Sequence, residues 1–160
     1  MARVIKFRGK SIDDGKWVVG DLIQSKNKKT GIWPIGSDNG VVPVHPKSVG
    51  QFTGLTDRNG TEIFEGDVVI QSWKATIDYN DFATEKSGRQ TGIVVIRTKG
   101  VCLSPCLCQY DDKQTEATIT RNKPLTGNRS EVIGNSFDDP GLFERICEDN
   151  DPKESLSAKV

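Results

Sequence analysis

The chain has 160 residues, 34% of them hydrophobic, and its 22 basic and 22 acidic side chains cancel to zero net charge. That length supports one barrel-sized core and is short for two. A mean hydropathy of −0.49, with apolar runs no longer than Ile93 to Ile96, excludes the roughly 20-residue span of a membrane helix.

Charge is unevenly distributed along the chain. Residues 1–30 hold eight lysines and arginines against three aspartates, whereas residues 131–160 hold three basic against eight acidic side chains. The two ends are therefore electrically complementary, either as solvated faces or as surfaces that attract within or between chains. The first residues, Met1 to Lys6, carry charge and then alternate, which reads as a first strand and not as a signal peptide. With no export signal in view, the four cysteines are expected to be reduced and the protein cytoplasmic.

In chain order, Val4 to Gly9 alternates like a half-buried strand, Asp13-Asp14-Gly15-Lys16 supplies turn chemistry, and Trp17 to Ile23 returns as the second strand of a hairpin. Lys26 to Gly31 is a polar, basic loop. Short apolar pieces follow at Ile32 to Ile35 and Val41 to Val44, where the prolines suit edges or turns. His45 to Phe52 allows one short helical turn, and Asn59-Gly60 marks a tight turn. Thr61 to Asp67 leads into a strand over Val68 to Trp73.

From Lys74 to Gln90 no clear period is present, so this stretch reads as a loop or exposed insertion. Gly92 to Thr98 reads as a buried strand, and Val101 to Tyr110 as another with Pro105 at a bulge or edge. Asp111 to Arg129 is a second variable stretch. Ser130 to Phe137 supplies a late strand, and Asp138-Asp139-Pro140 caps a short helix from Gly141 to Cys147, with Leu142, Phe143 and Ile146 on one apolar face. Composition predicts a disordered acidic tail over residues 149–160. The domain is then 1–148, with variable insertions near 74–91 and 111–129.

The segment Gln51 to Val69 is punctuated by Gly54, Gly60 and Gly66, a succession of turns ending in a Gly66-Asp67 strand start. In this reading Leu55 follows the first turn, and Asp67 accepts hydrogen bonds from turn amides. Asp57, Glu62, Glu65 and Asp67 are read as structural carboxylates ahead of ligands. Together with Ile5 to Arg8, Trp17 to Leu22 (including Gly20-Asp21), Val49-Gly50 and Glu131 to Leu142 (including Gly134-Asn135), this ordered set resembles the YopX family of phages and prophages. The resemblance implies an all-β fold near an SH3-like small barrel, self-association, residence in a bacterial host cell, and no assigned biochemical activity.

Three kinds of site remain to be weighed. Cys102, Cys106, Cys108 and Cys147 form a weak metal set, because their spacing matches no paired zinc knuckle and His45 is the single imidazole. A cysteine or serine nucleophile would depend on that same His45, which precedes Pro46 in a connecting turn. No Walker or dinucleotide fingerprint appears, so no cofactor is implied. The N-terminal hairpin collects Lys6, Arg8, Lys10, Lys26, Lys28 and Lys29 beside Trp17 and Trp33, the composition of a nucleic-acid surface on a small β-barrel. Zero net charge and a sequence pI near 6.6 weigh against it. The leading expectation is a non-enzymatic, self-associating interaction module with a host or phage protein as a further partner, and nucleic-acid binding is the alternative.

Overall fold

The computed structural model describes residues 3–27, 29–80, 82–112, 114–150 and 153–154. The strands are β1 (Phe7–Lys10), β2 (Trp17–Gln24), β3 (Thr30–Pro34), β4 (Val42–Pro43), β5 (Gly50–Thr56), β6 (Glu62–Phe64), β7 (Asp67–Tyr79), β8 (Phe82–Arg97), β9 (Gly100–Tyr110), β10 (Thr118–Thr120), β11 (Lys123–Pro124), β12 (Ser130–Asn135) and β13 (Lys153–Glu154). One α-helix, α1 (Leu142–Asn150), and two 3-10 turns, Pro46–Ser48 and Gly127–Arg129, complete the described elements. The chain is thus mostly β with one short C-terminal helix. In place of a single small barrel, its strands form two sheets.

The first sheet has the order β4-β3-β2-β1-β5-β6, all antiparallel. It curls because a bridge between Ser11 and Val44, with Ile12 N–H donating to Pro43 O and His45 N–H to Lys10 O, brings the end of β4 back beside β1. Tight packing across β2 and β3 needs Gly20, since a Cβ there would stand 1.8 Å from the Trp33 carbonyl oxygen. Ile32 and Val44 fill the inside of the curl and are fully buried.

The second sheet runs β12-β7-β8-β9-β10, with β11 also on β9 and β13 added parallel to β10. Adjacent residues of a strand face opposite sides, and Val68 and Val69 in β7 are 1% and 0% exposed. Both faces of this sheet are therefore covered at its base. On one lies the core of Ile63, Val69, Val94, Leu103, Cys106 and Cys108, with Leu55, Leu125 and Val132 packed against it. The sequence-derived bulge at Pro105 is present as a register shift between Gly92 and Val94 on β8.

Two expectations are corrected. The stretch from Lys74 to Gln90 is not a loop: it is the outer half of β7 and β8, paired in unbroken register from Trp73↔Gly88 to Tyr79↔Phe82. A hairpin exposed on both faces needs no apolar alternation, since its backbone groups satisfy one another across the pair. The helix also continues past Cys147 to Asn150, where Asn150 Nδ2 donates to Ile146 O and Gln109 Nε2 donates to Asn150 Oδ1. Of the expected tail, Lys153–Glu154 pairs with β10; 151–152 and 155–160 lie outside the described residues.

Candidate functional site

The basic residues of the N-terminal hairpin are not gathered into one surface. Lys6 is ion-paired with Glu62 at 2.5 Å and lies 4.7 Å from the centroid of the Phe52 ring. Arg8 turns inward. Its guanidinium is 2.6 Å from the Asp67 carboxylate and sits between Trp17 and Phe64, 4.6 and 5.0 Å from their ring centroids. Neither group has the free exposure a phosphate contact requires. Lys26 and Lys29 are exposed at the turn between β2 and β3, and Lys28 lies outside the described residues. Trp33 stands opposite Asp21 on β3, 44% exposed, with Nε1 donating to Ser37 O at 3.0 Å.

The signature carboxylates all have protein partners. Asp57, buried at the Asn59-Gly60 turn, accepts from the amides of Asn59 and Thr61 on one oxygen and from Val132 on the other, at 2.9, 2.9 and 3.0 Å. Burial pushes its pKa up, but the three amides outweigh it and the net shift is downward. Glu65 accepts from the Gln51 amide. Asp67 accepts from the Phe64 amide at 2.8 Å as well as pairing with Arg8; burial is the larger influence and its pKa rises above the ordinary value. Gly54, Gly60 and Gly66 take φ of 83°, 81° and 89°, the left-handed region that glycine enters without steric cost.

These signature parts join the two sheets. Gly66 N–H donates to Val94 O and Ser136 N–H to Gly66 O, while Asn135 Oδ1 accepts from the amides of Phe137 and Asp138. That turn presents Asp138 to the Lys10 ammonium, to Trp17 Nε1 and to Asn135 Nδ2. Part of the charge complementarity between the chain ends is thereby used within one molecule. Leu142 packs over Gly134 at the start of α1. The resulting cleft between the sheets, about 220 Å³ and lined by Arg8, Trp17, Lys47, Gly66, Asn135 and Phe137, is a structural seam in which Arg8 is already paired with Asp67 and Lys47 lies exposed at the edge.

The four thiols do not form one group, although Cys106 and Cys108 are hydrogen-bonded neighbours in the core. Cys102 is opposite Val95 and Pro124, Cys106 and Cys108 are opposite Thr120 and Thr118, and Cys147 is on α1. Among the described residues no three His, Cys, Asp or Glu side chains are grouped to share a metal ion. His45 packs on Phe137 at 5.7 Å between ring centroids. Cys108 borders a pocket of about 340 Å³ with Trp73, Lys86, Gln90, Tyr110 and Lys123.

Sequence reasoning did not single out one further concave surface. A groove of about 680 Å³ opens on the first sheet, walled by Ile12, Ile23, Val41, Pro43, Val44 and Pro46 and bordered by Lys29. Ile12, Ile23 and Val41 are 53%, 41% and 43% exposed. A signal was present in the period-2 alternation of β2 and in the two prolines, but burial on the opposite face gives the same pattern. Among the described residues no helix is long and apolar enough to cross a membrane.

Two sheets joined across their seam by the buried Arg8–Asp67 pair define a mostly β protein. A search of curated proteins finds no match. The sequence matches the family described as YopX protein over residues 6–144, and the chain belongs to that family.

Proposed function

We propose that this chain is a non-enzymatic phage or prophage accessory protein whose task is assembly, with copies of the chain joining through the first sheet. The observation that carries this reading is the apolar groove of Ile12, Ile23, Val41 and Pro43, open to solvent in a single chain. Exposed apolar surface of this kind marks interaction sites in folded proteins. The engagement of the signature carboxylates and of His45 in structural contacts supports a binding role over a catalytic one. The curl that returns β4 to β1 supports kinship of the first sheet with SH3-like barrels, which commonly present binding surfaces.

The test is the mass of the purified protein by sedimentation equilibrium across a concentration series. A mass that rises above the 17.6 kDa of one chain and falls when Ile23→Glu is introduced supports the reading. A single-chain mass up to the highest attainable concentration overturns it. The alternative, nucleic-acid binding, rests on exposed Lys26, Lys29 and Trp33 in one hairpin. It predicts saturable, salt-sensitive anisotropy changes with labelled single strands, lost in Lys26→Glu/Lys29→Glu.

A further inference from the structure

The outer part of the β7–β8 hairpin is a free arm. The last pairing of β8 with β9 is Gly88↔Tyr110, and the last pairing of β7 with β12 is Gln71↔Ser130. Ser87 is still held at the base, its O accepting from the Asp111 amide and its Oγ donating to the Asp111 carboxylate. Beyond it, five register pairs, Ala75↔Lys86 to Tyr79↔Phe82, have no third strand among the described residues. At ~3.3 Å per residue the arm projects about 16 Å.

An isolated two-stranded hairpin is marginal in water, and this one carries Phe82 at its tip, 77% exposed. An aromatic held out on an arm is poorly accounted for by the single chain, because neither its own sheet nor the first sheet covers it. The arm is also acidic on balance: residues 75–86 hold Asp78, Asp81 and Glu85 against the single cation Lys86, which lies at its base. The turn that borders the apolar groove is the opposite, with lysines at 26 and 29 and no acid between residues 24 and 31.

We infer that the groove of one copy receives the Phe82 arm tip of a second copy. This rests on the assembly reading above and names its contact: Phe82 enters the space between Ile12, Ile23, Val41 and Pro43, and Asp78 and Glu85 lie toward Lys26 and Lys29. Apolar burial supplies affinity, and the opposed charges orient the arm and reject its approach from the other end. Because the two patches differ, the contact gives a reciprocal dimer, a ring where the rotation closes, or an open filament where it does not.

The experiment uses two full-length variants, Phe82→Ser with an intact groove and Ile23→Glu with an intact arm, each checked for native circular dichroism. Each alone is expected to be monomeric, and an equimolar mixture is expected to recover a 1:1 complex, since one sound arm and one sound groove remain. Raised salt is expected to weaken that complex. Self-association of Phe82→Ser equal to that of the unaltered protein overturns the arm as the occupant while leaving the assembly reading intact. Two monomeric variants that fail to combine also overturn it, because the two surfaces then do not meet each other. An unaltered protein that is itself monomeric removes both readings together.

Discussion

The Arg8 guanidinium and the Asp67 carboxylate meet at 2.6 Å across the seam between the sheets, with the guanidinium between the rings of Trp17 and Phe64, both from the first sheet. Asp67 is 1% exposed, so the pair joins β1 to β7 where water does not screen it. Breaking a buried pair by removing one partner costs about 3–5 kcal/mol, because a charge is left buried without compensation.

Arg8→Met is therefore expected to lose stability of that order in urea unfolding. Arg8→Met/Asp67→Asn is expected to be more stable than Arg8→Met alone, because Asn removes the orphaned charge and keeps an oxygen for the Phe64 amide. The sign with pH follows from burial. In Arg8→Met the folded-state pKa of Asp67 stands above its unfolded value, so its protonated form is favoured in the fold and the deficit shrinks as pH falls toward the ordinary carboxylate range. A deficit that grows on acidification contradicts this account.

Asp57 ties the Asn59-Gly60 turn to β12 through three backbone amides. Each buried amide left without an acceptor costs about 1–3 kcal/mol. Asp57→Ala is thus expected to destabilise by about 3 kcal/mol or more. Asp57→Asn is expected to lose less, since one oxygen still serves Asn59 and Thr61 while the amide nitrogen faces the Val132 N–H. Equal losses in the two variants would show that the turn amides find other acceptors.

The thiols separate by their surroundings. Hydrogen bonding from Cys106, then from Thr120, with Lys123 and Gln90 adding, outweighs burial and lowers Cys108 to about 6. Burial, with Glu144 and Glu148 nearby, pushes Cys147 up to about 11. Because the thiolate is the reacting form and Cys108 is 4% exposed, alkylation of Cys108 by iodoacetamide is expected to be slow and to change little between pH 7 and 9. That of Cys147 rises about tenfold per pH unit over the same interval. Peptide mapping by mass spectrometry resolves the two, and parallel rises would remove the stabilised Cys108 thiolate.

The parts legible in the sequence are those with one buried face or a turn that demands particular residues. Alternation in Trp17 to Ile23 and the Asn59-Gly60 turn gave away β2 and the β5–β6 connection, and Asp139 with Pro140 announced α1. The arm was hidden because neither of its faces is covered at Ala75 and Thr76, so the alternation that marks a strand is absent. Its Asp78 and Asn80, read as loop residues, belong to the hairpin's end, where Asn80 takes φ of 49°. Lys6, Arg8 and Lys10 alternate as a solvent-facing row would, and only the distant partners Glu62, Asp67 and Asp138 decide that they are engaged. The groove was illegible for a related reason, since which face of a curled sheet stays open depends on closure between Ser11 and Val44.

Lys10 and Asp138 join the basic and acidic ends of the chain and give the last prediction. Hydrogen bonds from Lys10, from Asn135 and from Trp17 hold the Asp138 pKa down to about 2, from an ordinary 3.8. A carboxylate with a depressed folded-state pKa contributes stability that is present above its unfolded value and is lost as pH falls through the folded one. The window is therefore between about pH 4 and pH 2. Both side chains are partly exposed, so solvent screening limits the contribution to below about 1 kcal/mol. Asp138→Asn is expected to remove that share of the acid dependence while Trp17 Nε1 keeps an acceptor, so the near-neutral loss stays small. Trp17 fluorescence followed through acid titrations of both proteins reads it out. Superimposable titration curves would show that Lys10 finds no net gain in Asp138, and that the complementarity between the chain ends contributes nothing within one molecule.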